Sequence, residues 1–127
     1  MTQNFTLSWG LIILSALFDS YAAFIVKMKF NELGRIDFSS FQSVFRYMVE
    51  FVKSPLLMTA VLAFIAAPGL WFLALNRVNL SVGYPMLVGF HLLFVMFFGI
   101  FLLHEAFTFY KLVGIILILT SFYFLYE

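Results

Sequence analysis

Four long apolar segments constrain this 127-residue chain more than any other feature. They cover residues 7–26, 55–76, 81–103 and 106–126 approximately. Each is close to the roughly 20 residues that a helix needs to cross a bilayer. Hydrophobic residues make up 65% of the chain and charged residues only 10%, whereas a soluble domain carries about 25% charged residues. The sequence therefore predicts an all-α integral membrane protein, with one transmembrane domain over residues 1–127.

The connections between the segments differ in length. Those after the second and third segments are only a few residues long, so consecutive helices are expected to be antiparallel neighbours in a compact four-helix bundle. The first connection is much longer, and residues 38–53 within it carry apolar side chains at helical spacing: Phe41, Val44, Phe45, Met48, Val49 and Val52. This pattern predicts an amphipathic helix in the membrane interface. Whether its apolar face contacts lipid or the bundle remains open.

Basic residues predict the orientation of the chain. The side that holds the first and third connections carries six of the seven: Lys27, Lys29, Arg35, Arg46, Lys53 and Lys111. The opposite side holds only Arg77. Because positive residues favour the cytoplasmic side, both termini are predicted outside, and we expect a bacterial inner membrane. The N-terminus lacks a positively charged region and a small-residue cleavage site, so the first segment is expected to be a retained helix.

Several functional classes are disfavoured by composition. The chain has no cysteine, which excludes disulfides and thiolate metal sites. Its net charge is +1, and nothing in it suggests nucleic-acid binding. One histidine and one aspartate within the spans fall short of a metal-ligand set, so neither a metal nor another cofactor is predicted.

Asp19 is the strongest candidate for a functional residue, because it is the only charge in the first apolar segment. A carboxylate in hydrocarbon costs about 2.5–3.5 kcal/mol on insertion scales, so such a residue is by default a functional candidate. Burial favours the uncharged form of a carboxyl group, which lets it hold a proton and release it when a cation binds. The alternative is an acid that only pairs helices.

His91 is the only ionisable residue of the third segment. Helices one and three run in the same direction in the predicted topology. At a rise of about 1.5 Å per residue, Asp19 and His91 lie roughly 12 and 18 Å from the inner end. They could therefore meet directly or through one water, and relay protons or hold a phosphate. A histidine bonded to a neighbouring backbone or hydroxyl group is equally plausible.

Helix-breaking residues mark the second and third segments. Pro68, Pro85 and Gly89 are candidate kinks, which often line cavities in transporters, although membrane helices also simply tolerate proline. Trp71 is a candidate for the outer half of such a cavity, with a role as an interface anchor favoured. Lys27 and the other inner basic residues can attract a lipid phosphate, each worth ~1 kcal/mol near an anionic surface. For any single one of them, plain positive-inside topology is the favoured explanation.

The order of these residues resembles the small multidrug resistance branch of the drug/metabolite transporter superfamily. In that branch the essential acid lies eight residues before a lysine that ends helix one, as Asp19 lies before Lys27. The stretch LALNRVNLSVGYP resembles the pattern with which helix two ends in that family. The pattern leads to a tyrosine, which is Tyr84 in this chain. Gly89-Phe90-His91 matches only in part the kinking element that the family carries in helix three. His104-Glu105-Ala106-Phe107-Thr108, followed by Gly114, resembles the pattern of the superfamily at the cytoplasmic end of that helix. Gly114 and Ser121 match the small residues through which helix four packs.

The third segment departs from the drug-exporting members. They place tryptophan three residues after the tyrosine, where it contacts aromatic cations, and this chain has Leu87 there. The tract from Tyr84 to Leu87, with Glu105, is closer to the paired small subunits proposed to flip undecaprenyl-phosphate-linked aminoarabinose. Those subunits tend to carry a small polar residue at the Asp19 position. The chain therefore combines the acid of one branch with the helix-three tract of the other.

The resemblance implies a transporter rather than an enzyme. The leading expectation is translocation of a lipid-linked, polyprenyl-phosphate sugar or a similar amphiphile. Proton-coupled export of small organic cations is the alternative, and a non-transporting scaffold subunit is a third. A dimer or heterodimer is expected, since four helices enclose little space and Gly114 with Ser121 offers a close-packing face. The expected substrate and coupling residues are Asp19, His91, Tyr84, Trp71, Lys27 and Glu105.

Overall fold

The chain is described by a computed structural model that covers the backbone of residues 2–126 and the side chains of residues 6–126. Met1 and Glu127 lie outside the described part of the predicted domain. The described residues form five helices and no strand: α1 (Thr2–Leu33), α2 (Phe41–Val52), α3 (Pro55–Leu75), α4 (Leu80–Phe101) and α5 (Phe109–Tyr126). Four of these, α1, α3, α4 and α5, are long and apolar enough to cross a membrane. The predicted all-α, multi-pass class is confirmed.

Helix α1 extends well past the predicted end of the first span at residue 26. It continues to Leu33 and stops at Gly34, whose φ of +79° is the left-handed conformation that glycine adopts readily. The Gly34 N–H donates to the Phe30 carbonyl at 3.0 Å and closes the last turn. The apolar pattern therefore marked the membrane span, and glycine sets the helix end.

Helix α1 is also the centre of the packing, because it lies against both α3 and α4. Its buried positions are mostly small or hydroxylated: Ser8, Ile12, Ser15, Ala16, Ser20, Ala22 and Ile25. Small side chains allow close approach of membrane helices, and hydroxyl groups bond across them. Ser15 shows this directly, since its Oγ donates to the Ala67 carbonyl of α3 at 2.8 Å.

Helix α5 occupies the edge of the molecule instead of completing a compact bundle. Within the described chain it packs only against α4, and none of its residues is buried. The contact centres on Phe122, whose ring centroid lies 4.8 Å from that of Phe90. Lipid solvates an apolar helix as well as protein does, so no hydrophobic force draws α5 inward. The expected compact bundle is therefore replaced by a three-helix core with α5 beside it.

The amphipathic helix is present as α2, shorter than the predicted 38–53. The Ser40 side chain accepts from the Ser43 N–H at 3.2 Å and caps its first turn. Two contacts connect α2 with the C-terminal end of α1. The side of the molecule where α1 ends and α2 lies is called the α2 end below. The Tyr47 hydroxyl donates to the Gly34 carbonyl at 2.7 Å, and the rings of Phe30 and Phe51 stack at 5.2 Å.

The two halves of α2 have different surroundings. Met48, Phe51 and Val52 face the spanning helices and line a cleft beside them. Phe41, by contrast, is 85% exposed, and Phe45 is also exposed. The C-terminal half of α2 thus docks on the core, and the N-terminal half presents its phenylalanines outward.

The candidate kink residues all lie within helices. Helices α3 and α4 are continuous through Pro68 and Pro85. Gly89 is buried beneath Phe122, and a Cβ there would clash with the ring, so Gly89 is a packing residue. Gly114 has no atom within 4 Å of where its Cβ would be, and the exposed Ser121 bonds to Ile118 of its own helix. The predicted packing pair is therefore uncovered within this chain.

Candidate functional site

Asp19 and His91 meet between α1 and α4. Asp19 Oδ2 lies 3.2 Å from His91 Nδ1, and both side chains are partly exposed. The two helices run in the same direction and pack on each other, which brings the two predicted residues to one level. The structure thus places an acid and an imidazole within ion-pair distance of each other in the membrane span.

Ser20 completes this contact and was missed by the sequence reasoning. It is 0% exposed, and its Oγ lies 3.0 Å from the same His91 Nδ1. The Ser20 hydroxyl can donate its one proton to the Ala16 carbonyl at 2.6 Å or to the His91 carbonyl at 3.2 Å. In either case Ser20 Oγ accepts from Nδ1 when neutral His91 carries its proton there, and this tautomer leaves Nε2 as an acceptor. A hydroxyl next to an acid in an apolar helix was the available signal.

On another side, Asp19 borders a cleft of about 460 Å³ enclosed by α1, α2 and α3. All other lining residues are apolar, among them Val26 on α1, Phe51 on α2 and Phe64 on α3. Asp19 keeps 44% of its side-chain surface exposed. The cleft therefore offers a long apolar wall and a single carboxylate, which suits a ligand with an apolar body and a hydrogen-bonding group.

A second pocket, of about 600 Å³, lies at the α2 end of α1. It is lined by two basic residues, Lys27 and Arg35, together with Phe30 and Phe38. Phe30 stacks on Phe51 of the apolar cleft, so the two depressions adjoin across this aromatic pair. The arrangement places positive charge next to an apolar cleft at one end of the spanning helices.

Lys27 and Glu105 meet at a third, small cavity of about 80 Å³ between α1 and α4. His104 has a φ of +55°, which turns the chain back after α4 so that the Glu105 N–H donates to the Gly99 carbonyl at 3.0 Å. The Glu105 carboxylate rests against Gly99, where a Cβ would lie 2.9 Å from Oε2. Ser20 lines the same cavity and links it to His91.

Trp71 and Tyr84 form a separate pair at the opposite end of the spanning helices. Their ring centroids are 6.1 Å apart, and Trp71 packs on the cluster of Ile12, Ala74 and Met86. Ile12 precedes Asp19 by seven residues, or about 10 Å along the helix. The structure does not bring these two predicted substrate residues to the Asp19–His91 pair.

Comparison with protein-family models, with curated proteins and with solved structures finds no match for this chain.

Proposed function

We propose that this protein is a small transporter that translocates an amphiphile, most specifically a polyprenyl-phosphate-linked sugar, across the bacterial inner membrane. The observation that carries the proposal is the apolar cleft, which ends at the carboxylate of Asp19 and adjoins a basic pocket. The lipid chain lies in the cleft beside Val26 and Phe64. The proposed transport role also draws on the resemblance of the chain to the drug/metabolite transporters.

Each part of such a substrate has a matching surface. Lys27 and Arg35 provide positive charge for the phosphate at the α2 end. Asp19 and Nε2 of His91 accept hydrogen bonds from sugar hydroxyl groups. Eight residues of α1, about 12 Å, separate Asp19 from Lys27, a distance that a sugar phosphate can bridge. The cleft thus holds a hydrocarbon chain while its polar group contacts α1.

The position of Leu87 supports a lipid over an aromatic cation. Leu87 packs against the buried cluster of Ile12, Ala74 and Met86. A tryptophan at this position in the drug-exporting proteins contacts the substrate, whereas Leu87 here lies outside the lining of the cleft. The tryptophan that contacts the substrate in the drug-exporting proteins therefore has no counterpart in the cleft, whose aromatic residues are Phe51 and Phe64.

Lipid translocation is tested with a matched pair of substitutions on α3. Val61 lines the cleft, and its neighbour Leu62 is exposed outside the cleft lining. Purified protein is reconstituted into liposomes with a fluorescent, short-chain polyprenyl-phosphate sugar, and dithionite quenching reports its transfer between leaflets. We expect Val61→Trp to abolish transfer and Leu62→Trp to retain it. Equal transfer by both variants, or transfer in protein-free liposomes at the same rate, would refute the proposal.

The Asp19–His91 contact favours proton-coupled export of organic cations as a second candidate. An acid that contacts an imidazole and borders an apolar cleft can exchange a proton for a lipophilic cation. The test uses tetraphenylphosphonium and proteoliposomes that contain a pH-sensitive dye. Asp19→Asn should abolish cation-driven proton release, and full retention of this release would eliminate the antiport mechanism. A folded protein without lipid transfer or proton release would favour the scaffold alternative.

We also propose the predicted orientation and assembly. Six of the seven basic residues lie at the α2 end or, in the case of Lys111, in the first turn of α5, which supports a cytoplasmic α2 end and termini outside. A dimer or heterodimer is supported by the open face of α5 around Gly114 and Ser121. Membrane lipid covers the same face when no partner does.

A further inference from the structure

The Asp19–His91 pair can be approached from two sides of α1. The apolar cleft reaches Asp19 from the side of α2 and α3, whereas the 80 Å³ cavity reaches Ser20 between α1 and α4. Water occupies about 30 Å³ per molecule in the liquid, so the cavity has room for about two molecules. The two approaches differ in chemistry, because only the second is lined by several polar groups.

The polar groups of the cavity are placed to hold water. Ser20 Oγ lies at its closed end, fully buried and bonded to His91. Lys27 and Glu105 lie toward the α2 end, where both are exposed. A buried water typically makes two to four hydrogen bonds, and the ammonium, carboxylate and hydroxyl groups supply donors and acceptors for them. The remaining lining residues, such as Val95 and Phe98, are apolar.

We infer that water in this cavity conducts protons from the α2 end to the Asp19–His91 pair, with Glu105 at the mouth and Ser20 as the last link. The path itself does not depend on the proposed function. Only its role in transport does, namely that protons and the amphiphile reach Asp19 from opposite sides of α1. One residue can then exchange a proton without opening the apolar cleft to water.

The transfer is balanced without another reactant. Nδ1 of His91 gives its proton to Oδ2 of Asp19, and the hydroxyl of Ser20 turns from Ala16 and gives its proton to Nδ1. A hydronium in the cavity then restores the Ser20 hydroxyl and becomes water. The net change is one hydronium consumed and one carboxylate protonated, with serine and imidazole unchanged.

The charged groups around this path are few. Lys27 and Asp19 come from α1, His91 from α4 and Glu105 from the connection after α4. Helix α3 contributes none, because Pro55–Leu75 contains no ionisable side chain. Lys111 of α5 is directed elsewhere, since its Nζ donates to the Ala106 carbonyl at 2.6 Å. Glu105 is therefore the one acidic group among the cavity-lining residues.

Water access is testable because the chain contains no cysteine, so that a single introduced thiol is unique. Ser20→Cys and Ser15→Cys are matched: both serines are buried on α1, but Ser15 bonds to α3 and does not line the cavity. Protein in lipid nanodiscs is exposed to Ag⁺, which is small and water-soluble, and unreacted thiol is counted with a maleimide after denaturation. We expect Ser20→Cys to react at least tenfold faster. Equally slow reaction of the two would overturn the inference.

The role of Glu105 is tested by the rate of proton uptake. The carboxyl infrared band of Asp19, identified by its loss in Asp19→Asn, is followed after a pH jump. Glu105→Gln should slow uptake about tenfold, while Glu50→Gln, an exposed acid of α2, should leave the rate unchanged. An unchanged rate in Glu105→Gln contradicts the path. Neither arm uses a transported substrate, so failure of the proposed transport and failure of this path are distinguishable.

Discussion

At the scale of single residues, one buried hydroxyl organises the candidate site. Ser20 Oγ bonds to His91 Nδ1 and to the Ala16 carbonyl, which holds the imidazole ring in place. Asp19 Oδ2 lies 3.2 Å from the same Nδ1, and Asp19 also lines the cleft. The site is therefore a group of three side chains, and the acid is only one of them.

Ser20→Ala tests this group. It removes the acceptor of His91 Nδ1, and losing one hydrogen bond costs about 0.5–1.5 kcal/mol. We expect the ring of His91 to become mobile, measured as broadening of its ¹⁵N resonances in lipid nanodiscs. Ser121→Ala is the control, because Ser121 is exposed and bonds only to its own helix. A sharp, unshifted His91 signal in Ser20→Ala would contradict the assignment.

The sequence allowed either an Asp19–His91 contact or a bond from His91 to a neighbouring hydroxyl group, and the structure has both, but the sequence could not identify Ser20 as that hydroxyl. Depth along two parallel helices follows from counting residues, and that count placed both groups within reach. Rotation about the helix axis decides which neighbour of Asp19 faces α4, and it depends on packing. An isolated serine among apolar residues carries no such directional information. Trp71 and Tyr84 lie away from the site because of their depth, since Trp71 packs at the level of Ile12, about 10 Å along α1 from Asp19.

At the scale of helices, two glycines differ in their surroundings within the chain. Gly89 is required by the close approach of Phe122, whereas Gly114 has open space around it. The sequence shows where glycine occurs but not which side chain of a neighbouring helix packs against it. The helix bounds of α3, α4 and α5 were predicted to within a few residues because apolar length alone sets them.

Gly89→Ala and Gly114→Ala should therefore have different effects on the stability of the protein. The first forces a methyl group into the Phe122 ring and should destabilise the protein by about 1–3 kcal/mol. The second adds a helix-favouring residue in open space and should be neutral or stabilising by up to about 1 kcal/mol. Unfolding in mixed detergent measures both. Recovery of stability in the double variant Gly89→Ala, Phe122→Ala would show that the ring is the cause, and equal effects of the two glycine changes would contradict the packing.

The start of α2 should depend on pH through Asp37. Donation from the Ser39 backbone N–H at 2.9 Å holds the pKa of this exposed carboxyl below its ordinary value of 3.8. A carboxyl with a lowered pKa stabilises the folded segment above the ordinary value, and this contribution is lost as the pH falls through the lowered one. Protection of the Ser39 amide against hydrogen exchange should therefore decrease on acidification. Asp37→Asn should show no such decrease, and identical pH profiles would exclude the contact.

At the scale of the whole molecule, α1 lies between α3 and α4, and α5 adds little contact. The sequence fully determined the number of spans, since composition decides what can enter a bilayer. It could not determine which helix is central. Short connections suggested neighbours in chain order, but the small buried residues of α1 bring this helix closest to the others.

The orientation is tested with two cysteines in the cysteine-free chain. Ser39→Cys lies before α2, and Asn79→Cys lies between α3 and α4 at the opposite end. An impermeant maleimide should label Asn79→Cys in right-side-out vesicles and Ser39→Cys in inverted vesicles, because positive residues favour the cytoplasm. The reverse labelling would contradict the predicted topology, and labelling of both sites from both sides would indicate mixed insertion.

The central claim is that Asp19, the one charged residue of the apolar cleft, contacts the polar group of an amphiphile. The most direct test is the transfer rate of the fluorescent polyprenyl-phosphate sugar in liposomes that contain Asp19→Asn, with Glu50→Gln as the control. Loss of the carboxylate should slow transfer at least tenfold, equivalent to about 1.4 kcal/mol, while the control remains at the wild-type rate. Wild-type transfer by a correctly folded Asp19→Asn protein would contradict the account.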